Sequence, residues 1–70
     1  MAKTMEIMLN GQAHNCEKDI NIMALVGELE LDPRSIAVEL NRQIVSKSLW
    51  QVTILKSGDK MEIVQFVGGG

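Results

Sequence analysis

Apolar and polar residues alternate over several short runs of the chain, and this period of two is typical of half-buried β-strands. The alternation is clear in residues 5–9, 36–40 and 60–66, and it predicts a strand over each run. Residues 12–16 alternate weakly, but Asn10-Gly11 just before them favours a two-residue type I′ turn. We therefore predict a β-hairpin at the start of the chain and further strands in its second half.

A helical period replaces the alternation after the hairpin. Asn21 is a suitable N-cap, because its side-chain oxygen can accept a hydrogen bond from the first helical turn. The apolar residues that follow have the spacing of one helical face: Ile22, Leu25, Val26 and Leu29. We predict a helix over residues 22–30 that ends at Leu31-Asp32-Pro33, since proline disfavours helical backbone in the residue before it.

Shorter segments complete the pattern. Ile44-Val45 predicts a short strand, residues 46–51 one helical turn, and residues 52–55 either a brief strand or a buried connection. A hairpin, a helix and further strands are typical of one mixed sheet with a helix across one face. The simplest closure places the last strand beside the first. The pattern therefore predicts an α+β fold, the β-grasp of ubiquitin-like proteins, over residues 5–66, with a flexible glycine tail at residues 67–70.

Composition narrows the classes of protein. Seventy residues make one domain, and the net charge of −2 argues against a nucleic-acid partner. No apolar run approaches the ~18 residues of a membrane helix, and no signal peptide is evident at the start. The single cysteine, Cys16, has no partner for an internal disulfide, which fits a reducing compartment. We expect a cytoplasmic protein that is monomeric when free.

No set of residues in the sequence has the spacing of a catalytic or metal site, so we expect no enzyme activity. His14 and Cys16 lie two positions apart on a predicted strand, but a zinc site would need further His or Cys ligands. A nucleophile–base pair would need a third group to orient the base. We expect Cys16 to fill the core and His14 to be an exposed strand residue.

The run Val67-Gly68-Gly69-Gly70 remains as a candidate site. Fraying is common at chain ends, so a glycine tail without function is one interpretation. The other is a thin arm, about 13–14 Å long when extended, that carries the carboxylate of Gly70 into a channel of a partner. Joining that carboxylate to AMP would let a sulfur nucleophile convert it to a thiocarboxylate.

Several stretches of the chain resemble a known family. They are Asn10-Gly11, Leu31-Asp32-Pro33, Ala37-Val38-Glu39-Leu40-Asn41, Ile44-Val45, Trp50, and the run from Gly58 to Gly70. Together they resemble the ThiS family, the sulfur carriers of thiamin thiazole synthesis, from about residue 5 to residue 70. The chain departs from that pattern at Glu30, where many relatives have glycine, and at Cys16, where relatives tend to have an aliphatic residue.

The resemblance implies a function for the tail. An ATP-dependent activating enzyme would adenylate Gly70, and sulfur from a donor such as a cysteine desulfurase would convert the adenylate to a thiocarboxylate. Thiazole synthase would then take the sulfur, with Gly68 and Gly69 forming the rest of the arm. The resemblance implies no bound cofactor, since the partner enzyme uses the ATP. Alternatives are a carrier for another pathway, such as the small subunit of molybdopterin synthase, a ubiquitin-like protein modifier, or a binding module with an inert tail.

The last predicted strand has two partly apolar faces. Residues 60, 62, 64 and 66 share one face, and residues 61, 63, 65 and 67 share the other. One interpretation buries one face against the helix and leaves Val64 and Phe66 to dock on a partner. The alternative buries the strand on both sides, as expected in the middle of a sheet.

Overall fold

The computed structural model describes residues 3–66, which form one mixed sheet and one α-helix. The elements are β1 (Thr4–Leu9), β2 (Gln12–Glu17), α1 (Ile22–Glu28), β3 (Ile36–Leu40), β4 (Gln43–Ile44) and β5 (Lys60–Gln65). Two short 3₁₀ turns lie at Pro33–Ser35 and Lys47–Leu49. The strands pair in the order β2-β1-β5-β3-β4.

The last strand occupies the centre of the sheet. β5 pairs parallel with β1 and antiparallel with β3, whereas β1–β2 and β3–β4 are antiparallel. The parallel pairing is short, because it joins only Met8 with Lys60 and Leu9 with Met61. This topology confirms the predicted β-grasp fold, in which the last strand lies beside the first.

The alternation of each strand decides which side chains enter the core. Ile7 of β1, Val38 of β3 and Met61 of β5 are buried on the face that α1 covers. The helix contributes the apolar face that the sequence predicts. Three of its residues are fully buried, namely Ile22, Leu25 and Val26, and Leu29 is partly buried. Full burial of side chains of this size contributes about 1.5–3 kcal/mol each.

The segment after β4 supplies two more core residues. Trp50 is 1% exposed, and its indole Nε1 donates a hydrogen bond of 2.9 Å to the carbonyl of Val45. Leu55 is fully buried, while residues 52–55 form no strand beyond an isolated bridge between Ile54 and Asn21. Residues 52–55 are therefore neither a strand nor a fully buried connection, because Leu55 is buried whereas Val52 and Ile54 are exposed.

Both hairpin turns place an asparagine in the left-handed backbone region. Asn10 and Gly11 have φ of 50° and 81° between β1 and β2, as the predicted type I′ turn requires. Asn41 and Arg42 have φ of 51° and 73° between β3 and β4. Asparagine tolerates this region because its short polar side chain bonds locally.

The helix ends earlier than predicted. α1 stops at Glu28, and Glu30 adopts a φ of 58°. The N–H of Glu30 donates to the carbonyl of Gly27 at 3.0 Å, and the N–H of Leu31 donates to that of Val26 at 3.3 Å. These two bonds define a Schellman motif, which closes a helix through a left-handed residue. The prediction that Asp32-Pro33 ends the helix is wrong, since Asp32 instead caps the following 3₁₀ turn.

Replacing Glu30 with glycine is expected to stabilise the protein by about 0.5–1 kcal/mol. A residue with a Cβ is destabilised by roughly 1–2 kcal/mol in the left-handed region, and glycine removes this strain. Part of the gain is lost because glycine also increases the conformational entropy of the unfolded chain. Urea denaturation of the Glu30→Gly variant measures the change in free energy of unfolding.

The matched control is Glu28→Gly, two residues earlier at the last position of the helix. That variant should lose about 0.5–1 kcal/mol, because glycine in a helix costs backbone entropy without relieving strain. Equal effects of the two substitutions would contradict the assignment of strain to Glu30.

Candidate functional site

The candidate site lies where β5 leaves the centre of the sheet. Phe66 is the last described residue, and its N–H donates to the carbonyl of Ser35 at 2.7 Å, which continues the pairing with the β3 side. The predicted arm residues Gly68, Gly69 and Gly70 lie outside the described residues. The structure therefore defines the base of the arm, which consists of residues 63–66.

On the other side of β5, the Asn10 side chain takes the place of a strand residue. Its Nδ2 donates to the carbonyl of Ile63 at 3.2 Å, and its Oδ1 accepts from the N–H of Ile63 at 2.7 Å. The backbone N–H of Asn10 also donates to Met61 at 2.9 Å. Sequence reasoning assigned Asn10 to the turn alone, since no pattern in the sequence shows which strand its amide will meet.

The two faces of β5 differ in burial. Met61 is fully buried and Ile63 half-buried toward the helix, whereas Val64 is 54% exposed and Phe66 59% exposed. The interpretation in which this strand is buried on both sides is therefore wrong. The helix covers only one face of the sheet, so the other face of the strand meets solvent.

A third apolar residue belongs to the exposed side of the sheet. Ile44 of β4 lies opposite Glu39, which in turn lies opposite Glu62 of β5, and Ile44 is 77% exposed. We call Ile44, Val64 and Phe66 the outer apolar surface. The short strand predicted at Ile44-Val45 is observed at Gln43–Ile44. A strand of two residues has no alternation from which its exposed face could be predicted.

The thiol of Cys16 belongs to the core, as predicted. Cys16 is 4% exposed, and burial raises the pKa of its thiol, with the negative charge of Glu28 raising it further. The thiol is thus neutral and shielded, which is the opposite of a reactive cysteine. His14 is half-buried rather than exposed, because it lies opposite Ile7 on the covered face of the sheet.

Ionisation of Cys16 is expected to lower the stability of the fold in alkaline solution. Below the ordinary thiol pKa of about 8.5, Cys16 is protonated in both the folded and unfolded chains. Above it the unfolded chain ionises first, so the free energy of unfolding falls by up to about 1.4 kcal/mol per pH unit until the raised pKa is passed. Urea denaturation of the protein and of Cys16→Val between pH 7 and pH 10 measures this difference; parallel pH profiles would contradict it.

None of the helices within residues 3–66 has the length and apolar character needed to cross a membrane. A five-stranded mixed sheet with a parallel central pair and one helix on one face defines a ubiquitin-like β-grasp domain. The model of the ThiS family matches residues 7–70. The chain therefore belongs to the ThiS family.

Individual relatives agree with this assignment. The sulfur carrier protein ThiS of Escherichia coli is 30% identical over 66 residues, which span 94% of this chain and 100% of the relative. The crystal structure of thiamine biosynthesis protein ThiS from Geobacter metallireducens superposes with a TM-score of 0.83 at 28% identity, covering 94% of this chain and 100% of that chain.

A longer relative has a different name. The thiazole synthase of Paramagnetospirillum magneticum is 44% identical over 66 residues, which are 94% of this chain and 20% of the relative. This chain therefore spans about a fifth of the length of that protein.

Proposed function

We propose that this chain is a sulfur carrier of thiamine biosynthesis whose working group is the carboxylate of Gly70. That carboxylate is activated, converted to a thiocarboxylate and used by thiazole synthase. The observation that supports the proposal is the family match, which runs to residue 70 and so includes all three glycines of the arm. The base of the arm lies on a central strand, which would give the arm a fixed origin.

The proposed chemistry needs no catalytic group from the carrier. A carboxylate oxygen of Gly70 attacks the α-phosphorus of ATP in the active site of an activating enzyme, and pyrophosphate leaves. The terminal sulfur of a persulfide on a donor such as a cysteine desulfurase then attacks the acyl carbon, and AMP leaves. A thiol reductant cleaves the S–S bond of the resulting acyl disulfide, which releases the thiocarboxylate and the donor thiol. The product is a thiocarboxylate, which the carrier holds on a narrow arm while enzymes position it, much as they position a cofactor.

Thiazole synthase is proposed as the acceptor of the sulfur. A protein of that name contains a segment 44% identical to this chain, and one polypeptide that joins the two parts raises their effective concentration. The proposal places the carrier in the cytoplasm, a reducing compartment in which the thiol of Cys16 stays free.

The outer apolar surface is proposed as the surface that docks on the activating enzyme. Ile44, Val64 and Phe66 present large apolar side chains to solvent, and such groups are typical of protein interfaces. Val64 and Phe66 lie on or just after the strand that carries the arm. A partner bound to this surface would therefore lie beside the base of the arm.

Replacing Phe66 with alanine is expected to weaken binding to the activating enzyme about tenfold or more. Aromatic side chains contribute strongly to interfaces, and tenfold corresponds to about 1.4 kcal/mol. The free energy of unfolding should change by less than about 1 kcal/mol, because Phe66 is 59% exposed. Calorimetric titration and urea denaturation measure the two effects.

A pair of valine variants tests whether binding depends on the outer apolar surface or on any exposed apolar side chain. Val64→Ala and Val52→Ala remove the same atoms from exposed valines, but Val52 lies in the segment between β4 and β5. Only Val64→Ala should weaken binding. Equal binding by both variants, or a loss of folding without a specific loss of binding in Phe66→Ala, would rule out this docking surface.

Reconstitution tests the proposed function as a whole. The chain is incubated with ATP, sulfide, its activating enzyme and thiazole synthase with its other substrates, and thiazole product is measured. Product that depends on the chain, on ATP and on each enzyme is expected. A reaction that proceeds equally well without the chain would refute the proposal, and lysine-linked adducts in its place would favour a protein modifier.

A further inference from the structure

The parallel pairing between β1 and β5 ends before β5 itself ends. β1 stops at Leu9 because the chain reverses at Asn10 and Gly11, whereas β5 continues for four residues beyond Met61. On this side, the described bonds to the later part of β5 come from the amide of Asn10, which binds both polar backbone atoms of Ile63. One side chain thus extends the sheet by one residue.

Little else supports β5 on that side. A groove of about 300 Å³ lies next to Asn10, and Leu9, Leu29, Ile63 and Gln65 are among the residues that line it. Gln65 is exposed and pairs with Ile36 on the β3 side. Without the amide of Asn10, β3 alone would hold the base of the arm, and a strand held at one edge can pivot about that edge.

The other end of β5 has a related arrangement. Asn41 also begins a left-handed turn, its Oδ1 accepts from the N–H of Lys60 at 3.0 Å, and its Nδ2 donates to Asp59 at 3.1 Å. The N–H of Asn41 donates to the carbonyl of Lys60 at 2.7 Å. Each of these asparagines, both in left-handed turns, therefore binds a different part of β5. Of the two, Asn10 binds the part that leads into the arm.

We propose that Asn10 is a positioning residue for sulfur transfer: its amide fixes the backbone of Ile63 and thereby sets the direction in which the arm leaves the sheet. This inference rests on the proposed function of Gly70. Asn10 touches none of the reacting atoms, and it acts through the backbone of β5. Asn10 is not part of the outer apolar surface. Loss of its side chain should therefore change the rate of reaction in the bound complex rather than the affinity for the activating enzyme.

The test compares Asn10→Gly with Asn41→Gly. Glycine keeps the positive φ that both turns need and removes the side-chain amide. Asn10→Gly loses two bonds to the backbone of Ile63, whereas Asn41→Gly loses one bond to the N–H of Lys60 and one to the carboxylate of Asp59. Thiocarboxylate formation is measured with the activating enzyme, ATP and sulfide at 20 °C, where urea denaturation confirms that each variant is folded. Exchange of the Ile63 amide hydrogen is followed by NMR in the carrier alone.

For Asn10→Gly we expect kcat to fall about tenfold, with KM within about twofold, and the Ile63 amide to exchange about tenfold faster, the change that the loss of roughly one net hydrogen bond produces. Asn41→Gly should keep the kcat of the unmodified sequence. Asn10→Asp, which retains the acceptor for Ile63 N–H and loses the donor, should also lower kcat and gives a second variant if glycine prevents folding.

Three results would overturn the proposal: equal kcat for Asn10→Gly and Asn41→Gly, unchanged exchange of Ile63 in Asn10→Gly, or a kcat for Asn10→Asp equal to that of the unmodified sequence. Failure of the unmodified chain to be converted at all would instead identify a failure of the proposed function, and the positioning role would fall with it. The control reaction of the unmodified chain therefore distinguishes the two failures.

Discussion

A chain that lacks Gly69 and Gly70 is expected to lose sulfur loading to background and to keep its fold. The proposed reacting carboxylate would then end two residues short of its position in the activating enzyme. A displacement of only 1 Å can cost about 100-fold in rate, so a loss greater than about 100-fold is expected. The buried core lies between Ile7 and Met61, and the free energy of unfolding should stay within about 0.5 kcal/mol.

Two further variants separate the reach of the arm from its width. Gly69→Ala keeps the length and the terminal carboxylate but adds a methyl group to the arm, and we expect slower loading with intact binding. A chain extended by one residue after Gly70 moves the carboxylate away from its place and should also load poorly. Loading of the truncated chain at the rate of the full chain would show that the glycines are an inert tail.

Replacing Trp50 with alanine is expected to destabilise the fold by about 3–5 kcal/mol. Trp50 is among the largest fully buried side chains, and large-to-small substitutions at such positions have this cost. The change also leaves the carbonyl of Val45 without its indole donor. Small domains have little stability to lose, so much of the chain should be unfolded near 37 °C. Circular dichroism during heating measures the effect.

Two controls apportion the contribution of Trp50. Trp50→Phe keeps an aromatic ring in the core and removes the hydrogen bond, together with some packing, so a loss of about 1–3 kcal/mol is expected. Leu49→Ala changes the preceding residue, which is 50% exposed, and should cost less than about 1 kcal/mol. A similar loss of stability for Leu49→Ala and Trp50→Ala would contradict the assignment of Trp50 to the core.

The arrangement of the longer strands was predictable because each of them has one covered face. The alternation in residues 5–9 and 36–40 reflects that single covered face, and Asn10-Gly11 fixes the first turn. The position of β5 beside β1 followed from the order of the elements, since a central last strand closes the sheet most simply. Local pattern and global topology agree here, as is typical of sequences that fold to one structure.

The end of the helix was not predictable from the same signals. Proline at position 33 marks a boundary, but the helix closes at Glu28 through a left-handed Glu30, and glutamate gives no sign of that conformation. The Schellman bonds stabilise the turn enough to hold an unfavourable residue there. The burial of His14 was also not predictable from its own strand. It depends on Ile7, the buried residue opposite His14 on β1.

For the candidate site, the sequence indicated which residues to consider but not how the protein holds them. Val64 and Phe66 were predicted as a docking surface, and their exposure depends on which face of the sheet α1 covers. Ile44 joined them only when the register of β3, β4 and β5 was known. The bonds from Asn10 to Ile63 span 53 positions of sequence, and no local pattern encodes them.

The most direct test of the central claim is the intact mass of the chain after incubation with its activating enzyme, ATP and sulfide. We expect the mass to rise by the difference between sulfur and oxygen, and fragmentation to place that change on Gly70. The chain without Gly69 and Gly70 serves as the control and should keep its mass. An unchanged mass for the full chain, under conditions that convert an authentic sulfur carrier, would contradict the account.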